Sequence, residues 1–335
     1  MGKYIITIDT GTTNTRCILW NEKRERVAEE KSKVGVRDTA VAGNNGKLKA
    51  AVKGCLEKLL ADRKISYDEV KRVIASGMIT SNVGLVEIPH VVVPARKEDL
   101  ARATKPVLLK DVCPLPIWFI PGVKNSGGEI TFENFESMDI MRGEEVESVA
   151  ILEHYPRGRK YLLILPGSHT KFVSVDEEGH ITGCLTTITG ELLSSITNDT
   201  IIADAVGKKY VEKDTYEKDT VLLGYDTACK CGIGRSCFSG RILHLFVTDD
   251  TNKVANFIFG VALQNDIIAI KKSSALRTSR DTTVIVGGKE PFSTAFADIL
   301  EHDGYFEKVE HFIGEEGMPL SALGAYAIAE LSGIL

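Results

Sequence analysis

The segment Asp9-Thr-Gly11-Thr12-Thr13-Asn14-Thr15 carries the residue types with which a short turn can hold phosphate and metal. The apolar run Tyr4-Ile-Ile-Thr-Ile leads into it and Arg16-Cys-Ile-Leu-Trp20 leaves at once, so the stretch reads as a β-hairpin whose tip is available for chemistry. Gly11 lets backbone approach a ligand closely. Thr12, Thr13, Asn14 and Thr15 offer hydroxyls, an amide and backbone N–H groups to phosphate oxygens. Asp9, at the end of the apolar run, is placed to hold a metal. An ordinary hairpin would use Gly, Asn and Thr as well, since all three suit turns for local reasons.

The same grammar returns later in the chain. Residues 161–165 form an apolar run, Pro166-Gly167-Ser168-His169-Thr170-Lys171 a small polar turn, and Phe172-Val-Ser-Val175 a second apolar run. Two such hairpins, one on each of two lobes, would present phosphate-gripping turns to a shared cleft. His169 suits either a contact to phosphate or packing within its hairpin. A third polar loop, Gly77-Met-Ile-Thr-Ser81-Asn82-Val-Gly84, follows the apolar residues 70–76, and Thr189-Gly190-Glu191 opens a helix. Ligands of mixed α/β sheets collect beyond the strand ends, where these segments lie. Thr282-Thr-Val-Ile-Val ends in Gly287-Gly288, a diglycine that either passes flat against a ring or phosphate or makes a tight turn. Met141-Arg142-Gly143-Glu144-Glu145 puts two carboxylates in the first turn of a helix, where they also suit the helix dipole.

The elements that must carry these residues follow from periodicity. Residues 24–34 read as a third strand completing a meander, 47–61 as a helix with Ala51, Cys55, Leu56, Leu59 and Leu60 on one face, and 70–76 as a buried strand. Short strands are expected at 91–94 and 117–121, short helices at 97–103 and about 143–154, and a strand at 181–185. Residues 215–276 are largely helical and include Ala262, Asn265, Asp266 and Ala269, and a helix runs from the diglycine to about residue 300. A final helix of small residues, 320–329, is expected to return to the first lobe.

Length and composition narrow the class. A chain of 335 residues exceeds what one core usually supports, so two lobes are expected. These are expected to be residues 1–140 with the C-terminal helix at about 320–335, and residues 141–319. With 43% hydrophobic and 26% charged residues the chain is globular. A net charge of −5 and the lack of a basic stripe exclude nucleic acid as the main partner. No run approaches the ~20 apolar residues of a membrane span, and the N-terminus opens directly into a strand, so a cytoplasmic protein is expected. Seven cysteines scattered through the chain fit reduced thiols. Cys229, Cys231 and Cys237, with His244 the nearest histidine, lack a zinc spacing and are expected to be buried free thiols of open role.

Asp9-Thr-Gly-Thr-Thr-Asn, the second hairpin at Gly167, the diglycine at Gly287 and the terminal Ala/Gly helix come in the order used by the actin-like ATPase superfamily of sugar kinases. Within it the chain resembles the 2-keto-3-deoxy-galactonokinase family. The residues carrying that likeness are Gly77-Met-Ile-Thr-Ser-Asn-Val-Gly84, Ile120-Pro-Gly122, Met141-Arg-Gly-Glu-Glu145, Leu165-Pro-Gly-Ser-His-Thr-Lys-Phe-Val173 and Thr189-Gly-Glu-Leu192. It covers residues 5–192 well and the remainder mainly in layout. No Gly-x4-Gly-Lys-Ser/Thr loop competes with it.

The resemblance implies an α/β fold of two ribonuclease H-like lobes around a central nucleotide and substrate cleft. It also implies ATP-dependent phosphorylation of the 6-hydroxyl of 2-dehydro-3-deoxy-D-galactonate with Mg2+, in galactonate breakdown. Phosphoryl transfer chiefly demands positioning and charge stabilisation. Asp9 would hold Mg2+, residues 11–15 and 167–171 would grip phosphates, and Gly287 and Gly288 would lie against the adenosine. Glu144, with Glu145 second, is the expected proton acceptor, and Asp139 or Glu191 would take the role if Glu144 does not. Arg142, Ser81, Asn82, Thr189, Gly190 and Glu191 are the expected substrate contacts. A kinase of another sugar, a regulatory ATPase of the same fold and a polyphosphatase-like hydrolase remain alternatives. Galacto against gluco stereochemistry, nucleotide preference and oligomeric state, a homodimer among the options, stay open on the sequence alone.

Overall fold

The computed structural model describes residues 2–314 and 317–331. It divides into two units, Met1–Glu129 with Ile140–Pro156 and Gly314–Leu335, and Ile130–Asp139 with Arg157–Ile313. Each is built on one large sheet, and unit 1 adds a second sheet of three short strands.

Unit 1 opens with the meander β1 (Tyr4–Thr10), β2 (Thr15–Trp20) and β3 (Arg26–Ser32), followed by helices α1 (Val36–Ala42) and α2 (Gly46–Ala61) and strand β4 (Val70–Gly77). Next come β5 (Val91–Val92), α3 (Lys97–Ala103), β6 (Lys105–Val107), β7 (Ile117–Phe119), β8 (Val123–Lys124), β9 (Ile140–Met141) and α4 (Glu144–Leu152). The main sheet has the order β3-β2-β1-β4-β7-β6. Strand β1 is antiparallel to β2 and parallel to β4, with Asp9 opposite Arg16 on one side and Ser76 on the other. Strand β1 is buried on both faces from Ile5 to Ile8, as a central strand covered on both sides must be. Leu48, Val52, Cys55, Leu56, Leu59 and Leu60 of α2 join the core with Ile6 and Ile8 of β1.

Unit 2 repeats the plan with β10 (Tyr161–Leu165), β11 (Thr170–Val175), β12 (Ile181–Thr187), α5 (Thr189–Asp199), α6 (Lys218–Phe246), α7 (Thr251–Lys272), β13 (Thr283–Val286), α8 (Phe292–Asp303) and β14 (Lys308–His311). Its sheet order is β12-β11-β10-β13-β14, again a meander joined to parallel strands. A shared order in both units is the ribonuclease H-like arrangement expected from the sequence. Helix α7 is long and apolar enough to span a membrane by composition, yet it is the core helix of this unit, with Val254, Phe257, Ile258, Val261, Leu263 and Ile267 buried. Gly224 and Gly260 let α6 and α7 pack backbone to backbone: a β-carbon at Gly260 would fall 1.9 Å from the Val221 carbonyl oxygen.

The chain returns to unit 1 as α9 (Leu320–Leu331), which lies against α4. A β-carbon on Gly324 would sit 1.8 Å from the carbonyl oxygen of Val146, so the small residues of α9 make the contact. The expected terminal helix is thus in place as far as Leu331, and its last residues lie outside those described. Residues 141–156, expected in the second lobe, are in unit 1 because α4 packs on α9, while residues 130–139 join unit 2. Cys17, Cys55, Cys113 and Cys184 are buried, but Cys229 and Cys231 are exposed beside a break in α6 at Gly232, where φ is 73°. The expectation of buried thiols fails there because α6 turns that face outward.

Candidate active site

In unit 1 the hairpin tip is held by its neighbours. The Asn14 carbonyl accepts from the Gly11 N–H at 2.9 Å, and the first N–H groups of α1, from Val36 and Arg37, donate to the carbonyls of Gly11 and Thr12 at 3.2 and 3.0 Å. Gly35 permits this approach, since a β-carbon there would lie 2.4 Å from the Thr12 carbonyl oxygen. Thr12, Thr13 and Asn14 are exposed and Gly11 has open space where a side chain would be. Thr15 is buried, its hydroxyl donating to the Val34 carbonyl at 2.9 Å, so it braces the turn from within.

A cavity of about 570 Å3 at this tip is lined by Asp9, residues 11–15, Arg16, Lys31, Ser32 and Lys33. The lysines were not singled out from the sequence. The meander contained the signal: Arg16 pairs with Lys31 and Thr15 with Ser32, so the end of β3 borders the tip of the first hairpin.

Asp9 accepts from the Ser321 hydroxyl of α9 at 2.9 Å, and burial pushes its carboxyl above the usual range against the opposing pull of Ser321 and Arg16. Gly77 ends β4 with φ 83° and ψ −156°, a region open to glycine alone. A β-carbon there would lie 2.8 Å from the Thr10 carbonyl oxygen and 2.9 Å from Asp9 Oδ1.

The acids of α4 divide in character. Glu145 is buried and both its oxygens accept from the Gly143 N–H, at 3.0 and 2.8 Å; burial, then the neighbouring Glu144, hold it well above the usual carboxylate range. Glu144 is partly exposed and accepts from the Arg142 N–H at 3.1 Å. Glu147, which the sequence pattern did not single out, is pushed up to about 8 by burial, Glu144 and Asp9. Its spacing, three residues after Glu144 and so about one helical turn on, was the available clue.

Arg142 is committed within unit 1. Its guanidinium donates to the Thr80 hydroxyl at 2.7 Å and the Ile88 carbonyl at 2.8 Å, which ties the loop after β4 to β9. Ser81 is buried and donates to the Met78 carbonyl at 2.7 Å, whereas Asn82 is exposed.

In unit 2 the turn at 167–169 is exposed and Thr170 and Lys171 are buried. Lys171 does not reach the turn's tip: its ammonium bonds the Thr186 hydroxyl and pairs with Asp139 at 3.6 Å. Asp139 in turn accepts from the Thr186 N–H and hydroxyl at 2.5 and 2.9 Å, which commits both residues to unit 2. Gly190, at the start of α5, presses on the turn: a β-carbon would lie 2.5 Å from the Gly167 carbonyl oxygen. The Glu191 N–H donates to the Ser168 carbonyl at 3.2 Å, and His169 Nε2 meets Glu191 Oε1 at 2.8 Å. Thr189 is buried and donates to Asp266 Oδ1 at 2.5 Å. Burial pushes Asp266 up to about 6, opposed by the hydroxyls of Thr189 and Thr187. At the end of β13, Gly287 donates to the Ile164 carbonyl at 2.9 Å and Gly288, with φ 89°, abuts Pro166, whose Cδ would be 2.8 Å from an added β-carbon.

The family model for 2-keto-3-deoxy-galactonokinase matches residues 9–314. The chain belongs to this family. Membership makes it a phosphotransferase with an alcohol acceptor. The 2-dehydro-3-deoxygalactonokinase of Escherichia coli strain K12 is 26% identical to this family member over 267 residues, 79% of this chain and 80% of its own length. A Sinorhizobium meliloti protein of known crystal structure, provisionally named a 2-dehydro-3-deoxygalactonokinase, superposes with a TM-score of 0.74 over 97% of this chain and 98% of its own at 22% identity, and so shares the fold. The matched segment takes in both hairpin turns, the acids of α4, the start of α5 and the diglycine.

Proposed function

We propose that this kinase transfers the γ-phosphoryl group of ATP to the 6-hydroxyl of 2-dehydro-3-deoxy-D-galactonate. The observation that carries the reading is the pair of equivalent turns, each ending the first strand of a ribonuclease H-like sheet, within a chain of the galactonokinase family. In unit 1 the exposed Thr12, Thr13 and Asn14 and the neighbouring Lys31 and Lys33 give polyphosphate oxygens hydroxyls, an amide and positive charge. In unit 2 the exposed backbone of residues 167–169 offers the same kind of contact.

The chemistry of unit 1 fits a magnesium ion. Burial lifts both Asp9 and Glu147, and Glu144 and Asp9 add to the rise at Glu147, so acids lie close together here and a cation would ease their crowding. Asp9 is the proposed ligand, through water, and the metal would neutralise charge on the transferred group. Glu144 is the proposed acceptor of the hydroxyl proton. Glu145 is spent on the Gly143 N–H and the carboxyl of Glu147 is pushed up to about 8, which leaves the half-buried Glu144 as the candidate among the three. In unit 1 Asn82 is proposed to meet the sugar acid, with Arg142 and Ser81 shaping the loop that carries it.

An assay of ADP release with ATP and a panel of 2-keto-3-deoxy sugar acids tests the reading. Release that stays slow until the galacto acid is added supports it; ADP formation stimulated only by protein, or turnover of polyphosphate alone, would overturn it. Asp9→Asn is expected to lower turnover by at least about 10²-fold, the scale of losing one charge-stabilising contact, with an unchanged circular dichroism spectrum. Near-normal turnover would remove Asp9 from the metal role.

A further inference from the structure

We propose that Asp266 is the positioning residue of the unit 2 turn: from the core helix α7 it holds the first residue of α5, so that Gly190 and Glu191 clamp the backbone of Gly167 and Ser168. The inference rests on the reading of that turn as phosphate-binding. Three linked contacts make the chain of force. Thr189 donates to Asp266 Oδ1 at 2.5 Å, Glu191 N–H donates to the Ser168 carbonyl at 3.2 Å, and Gly190 lies so close to Gly167 that any side chain would collide with it.

What Asp266 leaves undone is equally informative. It is fully buried, and its second oxygen, Oδ2, has no hydrogen-bond partner. At the other end of the turn Thr170, the register partner of Thr187, is also buried with its hydroxyl unpartnered. A buried carboxylate with half its acceptor capacity unused costs free energy, and an apolar residue among the apolar neighbours of α7 would be cheaper for the fold. Stability therefore supplies no reason for an acid at this position. Its grip on Thr189 does: a carboxylate bond is stronger and shorter than one to a neutral acceptor, and α7 is a largely buried helix that gives the grip a firm base. Displacement of a binding group by about 1 Å can cost on the order of 10² in rate, so the grip has a functional return.

The test uses the full chain and the variants Asp266→Asn, Thr189→Val and Thr189→Ser. ATP affinity is measured by titration calorimetry without sugar acid, alongside KM for each substrate, kcat and the melting temperature. Asp266→Asn and Thr189→Val are expected to weaken ATP binding about tenfold, the loss of one charge-assisted hydrogen bond. Thr189→Ser, which keeps the hydroxyl, should recover most of the affinity lost in Thr189→Val. Asp266→Asn should melt no lower than wild type, an outcome a merely structural acid would not give. ATP affinity of Asp266→Asn within about twofold of wild type, or Thr189→Ser as impaired as Thr189→Val, overturns the proposal. Should Asp266→Asn not fold, the two threonine variants decide. Because ATP affinity is read without sugar acid, a wild type that binds ATP but ignores keto-deoxy acids would refute the proposed substrate and leave the role of Asp266 standing.

Discussion

The turn at residues 11–15 in unit 1 and the turn at 167–171 in unit 2 occupy the same place in sheets of the same strand order, but they dispose of charge in opposite ways. In unit 1 the cations Arg16, Lys31 and Lys33 line the cavity at the tip. In unit 2 the one lysine of the turn is drawn inward to Asp139 and Thr186, and the exposed surface is mostly backbone. The two strand-end glycines differ in a related way. Gly77 presses on a carbonyl oxygen and on the Asp9 carboxylate, whereas Gly288 abuts a proline ring. Duplicated topology thus conserves where a turn lies, not how its charge is disposed. That is a property of side chains alone.

The contrast in lysines gives the largest expected effect. Lys171→Met removes the buried cation paired with Asp139, whose side chain is 15% exposed, and should cost about 3 kcal/mol, the low end for a broken buried pair, whereas Lys33→Met, at an exposed position, should change stability by no more than about 0.5 kcal/mol. Urea unfolding measures both. In ATP titrations the order reverses: Lys33→Met should weaken binding in a salt-dependent manner. Equal stability costs at the two lysines would erase the distinction between the turns.

Next come the glycines. Alanine at either must adopt positive φ, a strain of about 1–3 kcal/mol, and at Gly77 it meets fixed backbone besides. Gly77→Ala should therefore destabilise more than Gly288→Ala, and it should also lower turnover by displacing Asp9. A larger loss at Gly288 would sharpen the comparison the other way.

The smallest effect concerns pH. Glu147 in unit 1 and Asp266 in unit 2 both have native values raised above those of an unfolded chain, to about 8 and about 6. A raised native value means that the folded state binds the proton more tightly, so this contribution is present at low pH and lost as pH rises through the native value. The melting temperature of Glu147→Gln relative to wild type should climb between pH 6 and 9, and that of Asp266→Asn between pH 5 and 7. A flat difference for either would show that its carboxyl titrates normally.

Much of this was legible in the residues. Both hairpins followed from apolar runs flanking Gly-rich turns, and the meander, α2 and α4 followed from periodicity, because local pattern sets such elements. Lys171 was misplaced for a plain reason: its strand position sends the side chain into the unit, toward Asp139, a partner outside any local window. Ser321 could not be paired with Asp9 from sequence, because 312 positions separate them. Helix α1 was missed since Val36–Ala42 is short and sits among Gly and Asn. Glu147 escaped because its significance lies in burial near Asp9, and no composition rule reports burial.

The return of α9 to unit 1 has a consequence for synthesis. The nascent chain makes the Asp9 hairpin first and α9 last, after every residue of unit 2 has emerged. Until then the face of α4 that receives Gly324 has no cover and Asp9 lacks the Ser321 hydroxyl. The first-made lobe is the last to mature, so a chain released before residue 321 carries a complete second lobe and an unfinished first one.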